Sequence, residues 1–234
     1  MTFTRTALTL LIAAAITGCN ANSAPKEAPK ATRTDAAHTQ ASVSFDKPGY
    51  VTEVHDGRLW VFEADSKAYK DFKTTGEPSK IVTRIAAGPN GMTVRSTDGA
   101  VIDGYLLSKP GYVAEVHDGR LWVFEADSKA YKDFKTTGEP SKIVTRIAAG
   151  PNGMTVRSTE GAIIDGYLLS KPGYVAEVHD GRLWVFEANS KAYKDFKTTG
   201  EPSKIVTRIG AGPNGMTIRS TEAEVIDGYL AAKG

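Results

Sequence analysis

From Lys47 onward the chain copies itself. The tetrapeptide Lys-Pro-Gly-Tyr opens at Lys47, Lys109 and Lys171, evenly spaced, and the repetition runs to the end of the 234-residue chain. The first two copies differ only at Thr52/Ala114, Asp98/Glu160 and Val101/Ile163. The third drifts slightly more, with Asn189 for Asp127 and Ala223-Glu224 for Gly161-Ala162. Whatever forms between Lys47 and Ser108 must therefore form three times over. A unit that short is marginal alone, so neighbours are expected to lean on one another. Near identity marks recent tandem duplication and does not show that each residue is under selection.

Each copy reads as ββαββα. Two strand-like runs, Tyr50 to His55 and Arg58 to Phe62, flank Asp56-Gly57, a two-residue turn signal because a type I′ turn needs positive φ. Asp65-Ser66 opens a short helix with Ala68, Tyr69 and Phe72 on one face and Gly76 beyond its end. The exchange of Asp65 for Asn189 fits an N-cap at that position. A second hairpin is expected over 80–86 and 92–95 around Gly88-Pro89-Asn90-Gly91, with Ile85 opposite Met92. A helix over 98–107 closes the unit, and Thr221 with Glu224 reads as a capping box in the third copy. The halves resemble each other weakly (Val51-Thr52 and Val82-Thr83, Gly57 and Gly88). The expected class is α+β: three tandem units, each a four-stranded antiparallel sheet with two helices on one face.

The strand 58–62 is apolar at both parities. With a two-residue turn, His55 pairs with Arg58, Glu53 with Trp60 and Val51 with Phe62, and these six share one face. Leu59 and Val61 share the other with Thr52 and Val54. In the second hairpin the pairing of Ile85 with Met92 puts Ile81, Thr83, Ile85, Met92 and Val94 on the core side and Val82, Arg84, Thr93 and Arg95 on the open side. The candidate binding face in the first repeat is Glu53, His55, Arg58, Trp60, Phe62, Arg84 and Arg95. It recurs as Glu115, His117, Arg120, Trp122, Phe124, Arg146 and Arg157, and again as Glu177, His179, Arg182, Trp184, Phe186, Arg208 and Arg219. Aromatics interleaved with arginine supply large contact area and directional hydrogen bonds, as binding surfaces do. The competing reading is that this face packs on a neighbouring repeat or chain, with Trp60 under an arginine as a structural cation–π pair.

Catalysis has little support. His55 and Asp56 are sequence neighbours on a strand end and point to opposite faces, and no serine sits in a nucleophile-elbow pattern. Glu53 and His55 share a face but lack a third metal ligand, and Ala87-Gly88-Pro89-Asn90-Gly91 joins two strands and reads as a plain turn, not a phosphate loop. No cofactor or metal is expected. Net charge is +2, too small to imply nucleic acid as a partner.

The only cysteine, Cys19, follows Arg5, an apolar run from Ala7 to Ala15, and Ile16-Thr17-Gly18. The apolar stretch is too short to span a bilayer and reads as a secretory signal over 1–18. Ile16-Thr17-Gly18-Cys19 resembles the lipobox of bacterial lipoproteins. The resemblance implies cleavage before Cys19, lipid on its thiol, an acylated new amino terminus (palmitate among the acyl chains) and membrane attachment through that anchor. Asn20 in place of aspartate leans towards the outer membrane. Residues 19–46 are the lipidated cysteine and a Pro-, Lys- and Thr-rich tether; a coil of about 27 residues reaches roughly 30 Å. With Cys19 lipidated no thiol remains, so the repeats 47–108, 109–170 and 171–234 must hold together without disulfides.

The functional expectation is a membrane-anchored cell-envelope lipoprotein carrying repeated non-catalytic binding modules for an envelope protein or peptidoglycan. The alternative is a purely structural scaffold whose repeats pack on each other; an envelope enzyme is the third and weakest reading.

Overall fold

The computed structural model describes residues 44–233, which lie in one compact unit, Val43–Gly234. The signal segment 1–18, Cys19 and the tether up to residue 43 fall outside the described residues.

Three like units follow one another. The first comprises β1 (Tyr50–His55), β2 (Arg58–Glu63), α1 (Lys67–Thr75), β3 (Val82–Arg84), β4 (Val94–Ser96) and α2 (Gly99–Leu107). The second comprises β5 (Tyr112–His117), β6 (Arg120–Glu125), α3 (Lys129–Thr137), β7 (Val144–Arg146), β8 (Val156–Ser158) and α4 (Gly161–Leu169). The third comprises β9 (Tyr174–His179), β10 (Arg182–Glu187), α5 (Lys191–Thr199), β11 (Val206–Arg208), β12 (Ile218–Ser220) and α6 (Ala223–Ala231).

The first hairpin has the register its turn dictates. Asp56 and Gly57 take φ of 50° and 70°, and Glu53 stands opposite Trp60, Val51 opposite Phe62 and His55 opposite Arg58. The sheet itself departs from expectation. Its order is β1-β2-β4-β3, and β2 runs parallel to β4 through Leu59↔Val94 and Trp60↔Arg95, so the sheet is mixed. That one pairing moves a helix. A pseudo-twofold that keeps β2 parallel to β4 must run along the strands, and such an axis exchanges the two faces of the sheet. The two helices accordingly sit on opposite faces.

Leu59, Val61 and Val94 pack with Tyr50 against Ile102 and Tyr105 of α2. On the other face, Phe72 of α1 lies 5.1 Å from the Trp60 ring and 4.9 Å from Phe62, and Tyr69 lies 5.6 Å from Phe62. Trp60 and Phe62 are fully buried, as are Phe124 and Phe186, and Trp122 and Trp184 nearly so. The aromatic face is therefore not open; it is the second core of each repeat. Arg95, Arg157 and Arg219 lie over the indoles at 5.6, 5.4 and 5.4 Å, a cation–π cover.

The second hairpin is shorter than expected and slipped by one residue. Arg84 pairs with Val94 and Thr83 with Arg95, so the register is not the one that sets Ile85 opposite Met92. A one-residue slip inverts every side chain of the strand. Val82 joins the α2 core while Ile85, Ile147 and Ile209 stand exposed at 84%, 84% and 88%. Arg84, Arg146 and Arg208 consequently leave the candidate face and pair with Asp103, Asp165 and Asp227 of α2, α4 and α6.

Two caps differ as well. The N-cap of α1 is Ser66, whose hydroxyl accepts from Tyr69 N, and Asp65 precedes it with φ 62°. The Asp65-to-Asn189 exchange fits this left-handed position, which short polar side chains tolerate. The N-cap of α6 is Glu222, with no side-chain cap bond, so the Thr221–Glu224 box does not form.

Repeats are joined by a recurrent junction. Tyr50 donates its hydroxyl to Ala114 O of the next repeat at 2.7 Å, and Tyr112 to Ala176 O at 2.6 Å. Each hydroxyl crosses the preceding helix at a glycine: a Cβ on Gly104 or Gly166 would stand 2.1 or 2.2 Å from it. A charge cluster accompanies this contact. Glu115, 3% exposed, accepts from Tyr131 Oη at 2.8 Å and faces Lys135 Nζ at 3.1 Å, while Lys135 also reaches back to Glu63 of the first repeat at 3.0 Å. Lys197 repeats this between Glu177 and Glu125. Burial works against the Lys135 ammonium, but Glu115 and Glu63 outweigh it and raise its pKa above the ordinary 10.5.

A folded pKa above the unfolded one means the stabilisation is complete below about pH 10.4 and is lost as pH climbs through the raised value. Lys135→Met is expected to cost about 1–2 kcal/mol in denaturant titrations at pH 7. The deficit should shrink as pH rises above the ordinary lysine value. Lys73→Met, at the corresponding but uncovered position of the first repeat, should change stability little; equal losses from both would contradict the junction.

Candidate binding grooves

With the aromatic face covered, what remains accessible of it is a rim. The hairpin tip, the end of the first helix and the β4-type strand enclose a groove in each of two repeats. In the second repeat its volume is about 330 Å³, and it is lined by His117, Asp118, Arg120, the edge of Trp122, Phe134, Glu139 and Arg157. The same groove in the third repeat measures about 350 Å³, between His179, Arg182, Trp184, Phe196, Glu201 and Arg219.

Local sequence explains each wall. The Asp-Gly turn lifts the His and first Arg to the tip. Gly138 ends α3 with φ 86° and opens the floor beside Phe134, whose carbonyl accepts its N–H at 2.8 Å. The two arginines of each groove have different tasks. Arg157 and Arg219 are held by Glu139 and Glu201 at 3.2 and 3.1 Å and cover the tryptophans. Arg58, Arg120 and Arg182 make no ion pair among the described residues and are the cations free to meet a ligand.

The structure thus gathers the His, the tip Arg, the Trp edge and the β4-type Arg of the candidate face. It withdraws Phe62, Phe124 and Phe186 into the core, sends Arg84, Arg146 and Arg208 to the opposite face, and places Glu115 and Glu177 in junctions. Glu53, with no preceding repeat beside it, pairs with Lys73 at 2.8 Å. His117 and His179 turn inward to Glu115 and Glu177, both at 3.0 Å, and stack edge-on against Phe134 and Phe196. His55 instead lies 3.5 Å from Asp56 and, with Glu77, forms a group of possible ligand atoms within 4.8 Å of one another. Among the described residues that exposed grouping forms only in the first repeat, so it defines no site common to the three.

The junction charges were missed from sequence. A signal was present: Gly104, Gly166 and Gly228 sit in mid-helix, where glycine costs about 1 kcal/mol relative to alanine, and the Tyr of each Lys-Pro-Gly-Tyr has no other evident task.

No family model, no curated protein and no solved structure matches the chain. No helix among the described residues is long and apolar enough to cross a membrane. The chain is a tandem array of three α+β repeats, each a four-stranded mixed sheet between two helices.

Proposed function

We propose that the chain is a lipid-anchored protein of the bacterial cell envelope whose three repeats form a non-catalytic, multivalent binding array. The observation that carries this reading is the recurrence of one groove with an unpaired arginine beside an aromatic edge, at Arg120 and again at Arg182. Repetition raises avidity without new kinds of contact, whereas a catalyst gains nothing comparable from near-identical copies. A guanidinium at the rim suits a polymer bearing carboxylates, for which the peptide-bearing peptidoglycan is the envelope candidate. The lipobox-like run at Cys19 supports membrane attachment, with the Pro- and Lys-rich segment after it as tether.

The scaffold reading keeps one specific support: the first two repeats each spend a Tyr-over-Gly device on the repeat that follows. The two readings are compatible: Arg120 and Arg182 take no part in the junction ion pairs, while Glu177 and Lys197 belong both to the second junction and to the wall of the third repeat's groove.

Two measurements test the proposal. Fatty-acid labelling in a bacterial host should mark the wild type and not Cys19→Ala; equal labelling would remove the anchor. Sedimentation with isolated peptidoglycan should retain the wild type and release the variant Arg58→Ala/Arg120→Ala/Arg182→Ala, with far-UV circular dichroism confirming that it is folded. Equal retention would leave the grooves without this role.

A further inference from the structure

A repeat array has two ends, each presenting half of a junction. The C-terminal end of this array departs from the internal pattern at the places where a fourth repeat would dock. Repeats 2 and 3 differ at eight positions, and five of them (Gly161/Ala223, Ala162/Glu224, Ile163/Val225, Leu169/Ala231 and Ser170/Ala232) fall in the closing helix and its end. Three of those changes fall on the junction, one adding a charge and two removing a contact. Ala162 faces Val178 and Asp180 of the following repeat across a shared cavity; Glu224 puts a carboxylate there. Leu169 packs on the core of the following repeat, and Ala231 cannot. Ser170 Oγ accepts from Ala176 N at 2.9 Å, and Ala232 has no hydroxyl.

The N-terminal end is treated in the opposite way, by imitation. Residues 44–46 occupy the positions that the end of a preceding repeat would fill. Phe45 packs on the first core as Leu107 packs on the second. Its carbonyl accepts Tyr105 Oη at 2.9 Å, as Leu107 O accepts Tyr167 Oη at 2.8 Å. Asp46 Oδ1 accepts Thr52 N at 2.7 Å, as Ser108 Oγ accepts Ala114 N at 2.9 Å. Thr52, one of only three positions separating copies 1 and 2, adds a second bond from its own hydroxyl to Asp46 at 2.8 Å.

The ends otherwise remain complementary. Tyr174 Oη lies over Gly228, 2.0 Å from where a Cβ would stand, with no carbonyl of a following repeat to receive it. Glu187 matches Glu125, the partner of Lys197, and Lys73 matches Lys135. A second copy of this chain is thus the natural occupant of either end.

We propose that residues 44–46 and the Glu224/Ala231/Ala232 helix end are built-in caps that prevent copies of this chain from stacking end to end. Terminal repeats with altered outer faces serve this purpose in repeat proteins generally, and a heterologous interface left open at both ends would grow into a filament.

The test uses the chain from Asn20 onward, which retains the compact unit whole. An N-open variant carries Phe45→Gly and Asp46→Gly; a C-open variant carries Glu224→Ala, Ala231→Leu and Ala232→Ser. Light scattering coupled to size exclusion at high micromolar protein should give a single-chain mass for the wild type and for each variant alone. An equimolar mixture of the two variants should give a complex of one chain of each, and the doubly open chain should form longer species. Should the N-open variant lack a native far-UV spectrum, Asp46→Ala with Thr52→Ala replaces it, removing the side-chain bonds between residues 46 and 52 while keeping Phe45. Self-association of the wild type would overturn the proposal. So would folded variants that stay single chains when mixed, or that associate with themselves as readily as with each other.

Discussion

Gly166→Ala and Gly104→Ala are each expected to destabilise the array by about 3 kcal/mol, from the lost tyrosine bond and from overpacking against fixed backbone. At Gly104 the new Cβ would meet Tyr50 Oη at 2.1 Å and the backbone oxygen of Ala114 at 2.8 Å, so tyrosine and neighbouring repeat must both retreat. Gly228→Ala is the internal control. It meets Tyr174 at 2.0 Å, but no carbonyl from a following repeat lies behind that hydroxyl, which can swing outward. There the gain in helix propensity, about 1 kcal/mol, offsets much of the cost. Urea titrations of the three variants read this directly. Tyr50→Phe should cost only about 1 kcal/mol alone and should relieve part of the Gly104→Ala penalty, the contact with the Ala114 carbonyl remaining, a coupling that a double-mutant cycle isolates. Equal penalties at Gly104 and Gly228 would mean that the glycines serve their own helix and not the junction.

Phe134→Ala should have a larger effect, about 4 kcal/mol. Phe134 is 3% exposed and touches Trp122 at 5.1 Å and Phe124 at 4.8 Å, so its removal leaves a cavity lined by aromatic rings that cannot collapse. The variant also reports on the placement of α3. Native tryptophan emission should be blue-shifted and poorly quenched by iodide, since the three indoles are at most 4% exposed. Phe134→Ala should shift part of it to the red. Strong quenching in the wild type would mean an open aromatic face.

What was legible in the sequence was the local grammar. Asp56-Gly57 is a turn that admits one hairpin register, and the structure has that register to the residue. The even spacing of the copies and the ββαββα order follow from pattern alone. What was not legible was the pairing of one hairpin with the other. A helix and a further strand separate β2 from β4 along the chain, and nothing in either strand marks its direction. Antiparallel pairing would have put both helices on one face; parallel pairing sent α1 over Trp60 and Phe62. The slip in the second hairpin has a similar origin. Ala86 adopts φ 53°, a left-handed conformation that alanine seldom advertises, and that extra turn residue inverted Ile85 and Arg84. Copy 3 carries glycine at this position, Gly210 with φ 67°, which was the available hint.

The grooves inherit both lessons. Their rim, His117, Arg120 and Arg157, lies on the face that strand parity assigns, while the depth of the site is set by a helix whose position parity does not determine. Aromatic residues that looked like contact surface are instead the support that holds the arginines in place.

Whether the grooves act together on one polymer is decided by peptidoglycan titration of the wild type, Arg120→Ala, Arg182→Ala and Arg120→Ala/Arg182→Ala, with bound protein measured after sedimentation. Joint engagement predicts that apparent affinity falls by roughly tenfold with each of these arginines removed, because each loss also removes the effective concentration it gave its neighbour. An affinity that stays constant through the double variant, or that falls only in proportion to the number of these arginines left, would contradict it.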